Sequence, residues 1–224
     1  MEHCVFCEES KSPSGYVREY LGPRWPFENR ILFCDELAYC VPGYSPQVYP
    51  YFLVIPRRHV FNVCQMTRAE WASVYNNIRF LSRFRKTYDE TLQIFEHGGC
   101  GAMSNACVDH CHLHIISDRV KILSRFREEH QTEEVRLLDS ADFCNGRRYL
   151  WLGRFVDPGS IVAHLAKDQP APSQYFRRKI SETLGDELWD WALGINMEYM
   201  EAMMRERKTF GDNGSTESAG GHAS

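Results

Sequence analysis

No stretch of the chain approaches the ~20 consecutive apolar residues that a membrane span requires. A signal peptide is also missing: Met1 to Glu9 carries cysteines and acids where basic and then apolar residues would stand. The expectation is therefore a cytoplasmic protein with no membrane partner. Neither sign of charge dominates, with 26 Lys and Arg against 30 Asp and Glu, so nothing points to a nucleic-acid polymer as partner. No internal repeat is found. Histidine is scarce, nine in 224 residues, yet three fall on alternate positions in His110-Cys111-His112-Leu113-His114. The nine cysteines, an odd number, suit thiols or metal ligands better than a disulfide framework. Cys34, Cys40, Cys64 and Cys144 read as small core thiols.

The length and the 43% apolar content fit one sizeable domain, or a domain with an appendage. Residues 1–28 read as irregular. Strands are predicted at Arg30–Cys34, Leu37–Val41, Tyr51–Ile55 and Thr91–Phe95, and the histidine string is the fifth. Thr67-x-x-Glu70 is a capping box. It opens a helix whose Trp71, Val74, Tyr75, Ile78 and Leu81 share one face. Short connections favour an α+β fold with a mainly antiparallel sheet. Three segments follow from these patterns: an α+β domain over 1–120, a mostly helical extension over 121–210 packed on it, and a disordered Gly/Ser-rich tail over 211–224. Within the extension, a short strand is expected at Arg148–Leu152 and helices at about 174–184 and 187–208.

On a strand, His110, His112 and His114 project to one side, with neighbouring Cα atoms ~6.6 Å apart at a rise of ~3.3 Å per residue. Cys111, Leu113 and Ile115 point the other way, into a core. Two chemistries use such a row. One is a three-histidine zinc site with an open coordination position. The other is nucleophilic attack by one neutral imidazole while its neighbours bind negative oxygens. Cys4-x-x-Cys7 bears on the choice. It is a redox pair, a chance spacing or half of a zinc site, and in the last case a histidine of the string is a natural further ligand.

Several stretches together resemble the histidine triad (HIT) superfamily. His110-Cys111-His112-Leu113-His114-Ile115-Ile116 is similar to its histidine–apolar–histidine–apolar–histidine–apolar–apolar signature. Tyr51-Phe52-Leu53-Val54-Ile55-Pro56-Arg57-Arg58-His59 resembles its strand ending in Val-Ile-Pro-Lys-x-His. Cys4-Val5-Phe6-Cys7 resembles the opening of zinc-containing members, and Phe95-Glu96-His97-Gly98 the Phe-Glu-Asn stretch of the galactose-1-phosphate uridylyltransferase branch. The match covers about residues 4 to 118.

The resemblance implies a HIT-like fold, a homodimer and a nucleotide substrate. It implies attack by His112 on the α-phosphate, a nucleotidyl–histidine intermediate, and resolution by water or by a phosphate or sugar acceptor. It gives His114 the phosphate oxygens, and one structural zinc per chain the ligands Cys4, Cys7, His59 and His110. A non-catalytic nucleotide-binding regulator is the reading from another class. Its support is Gly43, which stands where many members carry an acid that holds the ribose. Asn105-Ala106 likewise departs from the family's Gly-Gln pair. Ser104, Asn105 and His97 are candidate phosphate contacts, with loop polarity or a strand-end surface histidine as the plain alternatives. Gln174 and Arg178, at the start of a helix with three clustered cations, form a candidate anion site or a solvated basic face.

Overall fold

The computed structural model describes residues 4–88, 92–98, 108–136, 148–156, 160–168, 171–187, 189–191 and 196–211. The N-terminal segment is helical where the sequence reads as irregular: α1 is Val5–Lys11, α2 is Pro13–Tyr16, and a π-helical turn spans Val17–Leu21. Pro13 stands at the first position of α2, where its missing N–H costs nothing. The cause is burial, since Phe6, Tyr16, Val17 and Leu21 all enter the core. Arg30 ties this segment down. Its Nε and Nη2 donate to the Glu9 carboxylate at 2.5 and 2.8 Å, and Nη1 donates to the Pro42 carbonyl.

Strands β1 (Phe33–Cys34), β2 (Ala38–Pro42), β3 (Tyr51–Pro56), β4 (Leu92–Gly98) and β5 (Leu113–Ser117) follow, with α3 (Arg68–Tyr88) between β3 and β4. The predicted first strand is cut to two residues. Asp35 accepts from the Leu37 and Ala38 amides, closing a turn immediately after Cys34. The capping box forms: Thr67 N donates to Glu70 Oε2 at 2.7 Å, and Glu70 N to Thr67 Oγ1 at 3.2 Å. Trp71, Val74, Ile78 and Leu81 of α3 are buried, as their spacing predicts.

The rest of the chain gives α4 (Ile122–Glu129), β6 (Glu133–Arg136), β7 (Tyr149–Val156), β8 (Ser160–Lys167), α5 (Tyr175–Leu184) and α6 (Met197–Gly211). The helix expected at about 174–184 is present as α5, the one expected from 187 begins only at Met197, and three strands accompany them. One eight-stranded sheet runs β1-β2-β3-β5-β4-β7-β8-β6, every neighbouring pair antiparallel. Residues 121–210 are thus more than a layer docked on a finished core. β7 satisfies the backbone groups that β4 would otherwise leave as an open edge, with Phe95 opposite Leu152 and Glu96 opposite Trp151. The tail after Gly211 lies outside the described residues.

The sheet is buried on both faces. Phe52 and Val54 of β3 join the cluster against α3, and Tyr51, Leu53 and Ile55 join the one that holds α5. Cys40 and Cys111 are buried free thiols, whereas Cys34 is exposed. Cys64 is disulfide-bonded, which corrects its reading as a thiol. Cys144 lies outside the described residues. No described helix is long and apolar enough to cross a membrane.

Candidate functional site

Regular β5 begins only at Leu113, so His110 stands in a bend and His112 in the irregular chain that leads into the strand. Their alternation persists. Cys111, Leu113 and Ile115 belong to the α3-side cluster, while His112 and His114 line a cavity on the opposite face. The three imidazoles do not share one environment.

His110 turns to the N-terminal segment. Cys4, at the N-cap of α1, and Cys7, in its first turn, bring two Sγ atoms to one place. Cys4 Sγ is 3.3 Å and Cys7 Sγ 3.6 Å from His110 Nδ1, and Cys7 Sγ is 3.4 Å from His59 Nδ1. All four ligand atoms lie within 4.8 Å of one another, a group that could hold a metal ion. The Pro56 carbonyl accepts from His110 Nε2 at 2.8 Å, which leaves the Nδ1 lone pair directed at the sulfurs. Burial, with a contribution from Cys4, pushes the Cys7 thiol up to about 11. A bound cation reverses that preference by stabilising the thiolate.

His112 and His114 face the cavity instead, about 110 Å³ in volume. Its walls are largely aromatic, with Phe6, Tyr16, Tyr44 and Trp191 among them. His112 Nδ1 donates to the His110 carbonyl at 2.7 Å. His114 stacks on Phe95, centroids 4.6 Å apart and planes 8° from parallel, and its Nδ1 shares a 2.8 Å hydrogen bond with the Tyr51 hydroxyl. Burial drives His112 down to about 4 and His114 well below the usual imidazole range; neighbouring histidines act in the same direction, and so does Arg177 at His114. His97 adjoins this pair, its ring stacked 5.8 Å from that of His114.

The structure does not bring the other candidates here. Gln174 donates to Asp190 and accepts from the Trp191 amide, so its side chain pins the cavity wall from behind. Arg178 lies over the Trp189 ring, 3.4 Å from its centroid, and donates to the Ser173 carbonyl. Neither lines the cavity. Ser104 and Asn105 lie outside the described residues.

Arg177, the neighbour that sequence reading passed over, does line it. Helical spacing held the signal, since Arg177 shares the inward face with Ile180 and Ser181, both buried, while Arg178 falls with exposed Glu182. Tyr51 was also missed as a site residue, although it explains Gly43. A Cβ at Gly43 would come within 2.4 Å of the Tyr51 ring, so the ring fills the place where a side chain would stand.

Residues 27–121 match the family model described as the HIT domain. No curated protein matches this chain. Among solved structures, a HIT family hydrolase from Clostridium thermocellum is similar at 21% identity over 52% of this chain and 91% of that one, with a TM-score of 0.36. A member of the HIT family from Bacillus subtilis shares 22% identity over 52% and 73%, TM-score 0.39. A histidine triad protein from Clostridium difficile shares 18% over 52% and 93%, TM-score 0.36. Through residues 27–121, rather less than half of its length, this chain matches the HIT domain, the family that its histidine string resembles.

Proposed function

We propose that the chain is a nucleotidyl hydrolase or transferase with His112 as nucleophile. The observation that carries the reading is the 2.7 Å bond from His112 Nδ1 to the His110 carbonyl. A carbonyl only accepts, so the proton is on Nδ1 and Nε2 keeps its lone pair on the ring that lines the cavity. Nε2 bonds to the α-phosphorus, the bond from phosphorus to the leaving oxygen breaks, and the leaving group departs with that electron pair. Water or another acceptor then attacks phosphorus from the open side, breaks the N–P bond, returns the pair to Nε2 and releases its own proton to solvent. His114, held by Tyr51, faces the phosphoryl oxygens. The aromatic walls suit a nucleobase.

Cys4, Cys7, His59 and His110 would hold one zinc. Tetrahedral geometry with Zn–S of about 2.3 Å and Zn–N of about 2.0 Å separates sulfur from nitrogen by roughly 3.5 Å, and the observed separations are 3.3–3.6 Å. A Cys2His2 set leaves no open coordination position, so the metal's contribution is structural.

Intact-mass spectrometry after incubation with nucleoside phosphoramidates, dinucleoside polyphosphates and nucleotide sugars tests the chemistry. One nucleotidyl mass is expected on the wild type and none on His112→Ala. No adduct and no product across the panel would favour a binding regulator. Turnover that survives loss of His112 yet stops with a chelator would favour the zinc as catalyst.

A further inference from the structure

Two arginines line the cavity, and they differ in how their charge is met. Arg30 is buried against Glu9 in a two-point ion pair. Arg177 is buried to 3% exposure, and no carboxylate among the described residues pairs with it. Its Nε donates to the Trp189 carbonyl at 2.9 Å and its Nη2 to the Ser45 carbonyl at 2.8 Å. Those bonds fix the plane of the guanidinium, while Nη1 donates no hydrogen bond to a described residue. Two carbonyls solvate a buried cation only partly, and its full charge calls for an anion. The group sits over the Tyr51 ring at 5.8 Å, and Tyr51 holds His114. No acidic residue among the described residues lines the cavity.

We propose that Arg177 is the anion-binding residue of this cleft, supplied by α5 from outside the HIT domain to take the phosphoryl oxygens of the substrate. A planar, pre-oriented guanidinium suits that task because its free N–H groups match phosphate oxygens in direction as well as charge. The cleft then recognises its ligand by the phosphate and an aromatic base. The ribose is met by the Tyr51 ring beside Gly43, with no carboxylate among the described lining residues to grip its hydroxyls.

The inference rests on the nucleotide reading of the site, and equilibrium binding separates the two. Calorimetry is run with AMP, GMP, CMP and UMP and with the four matching nucleosides, on the wild type, Arg177→Gln and Arg177→Lys, with thermal melting as the check of folding. The wild type should bind at least one monophosphate tenfold or more tighter than its nucleoside. Arg177→Gln should lose at least tenfold for that monophosphate and less than twofold for the nucleoside. Arg177→Lys should fall between, keeping charge and losing the fork. Equal losses for monophosphate and nucleoside overturn the proposal, because packing alone gives that pattern. So does an unchanged monophosphate affinity, or a wild type that binds no monophosphate. Should Arg177→Gln fail to fold, Arg177→Lys decides: a loss confined to the monophosphate supports the role, and equal effects on both ligands sink it. An Arg177-dependent monophosphate site with no adduct on His112 retains this inference and removes the proposed chemistry. An adduct that forms regardless of Arg177 does the reverse.

Discussion

His110 and His112 are two residues apart and occupy opposite kinds of surroundings. At His110, both ring nitrogens are committed, one to the Pro56 carbonyl and one toward two sulfurs. At His112, one nitrogen is tied and the other is left on an aromatic-walled cavity. The first arrangement is closed and suits a scaffold. The second keeps one lone pair unspent, as a nucleophile must. The ends are also joined, because the His110 carbonyl is the acceptor that fixes the His112 tautomer. Equal spacing in sequence therefore sets a shared backbone path, and what each ring meets sets its work.

The sharpest way to break this comparison is at the open end. His112→Ala should lower turnover by on the order of 10³-fold or more, about 4 kcal/mol of barrier, with a melting temperature near that of the wild type. Steady-state rates and calorimetric melting read the two effects separately. Cys7→Ser should do the opposite. Zinc content should fall from near one per chain, and stability by about 3 kcal/mol, which is roughly 6–12 °C for a chain of this length. Metal analysis beside a melting curve checks it, and unchanged stability would refute the scaffold role.

A third substitution probes the residue between the ends. Cys111 Sγ donates to Glu96 at 3.1 Å, and that buried carboxylate also accepts from Tyr149, Trp151 and the Val63 amide. Burial raises the Glu96 carboxyl, and these four donors act against it. Glu96→Gln turns an amide NH2 toward either the Val63 N–H or the Trp151 Nε1–H, each of which can only donate, and should cost about 2 kcal/mol by chemical denaturation. The smallest effect lies beside the His59 ligand. Arg58 and the helix-cap bonds hold Glu70 down at about 2. Its folded value is below the ordinary 4.5, so its stabilisation is complete above about pH 4.5 and disappears as pH falls through about 2. Glu70→Ala should cost about 1 kcal/mol at pH 7 and almost nothing near pH 2, as denaturation at the two pH values would show.

The cluster of Cys4, Cys7, His59 and His110 was readable because each member sits in a local pattern: a Cys-x-x-Cys pair, a histidine at a strand end, a histidine in an alternating string. The capping box and the buried face of α3 were readable for the same reason. Arg177 was not, because its meaning depends on Ser45, Trp189 and the cavity, and Ser45 is 132 positions away in sequence. The N-terminal helices escaped as well, since Phe6 and Tyr16 become helical by packing rather than by periodicity. β8 was missed because its mostly apolar run, Ile161 to Ala166, shows no alternation to read. Glu96 looked like part of a family motif and is now also a four-donor acceptor that joins β4 to β7.

The pairing of β7 on β4 carries a consequence for assembly. Among the described residues, the sheet ends in β1, two residues long, and β6, four residues whose side chains are mostly exposed and half of which are acidic. Such margins give a second chain few backbone groups to add to, and they resist runaway strand addition. A homodimer of this chain would meet through helices, loops or a sheet face, leaving the sheet itself complete within one copy.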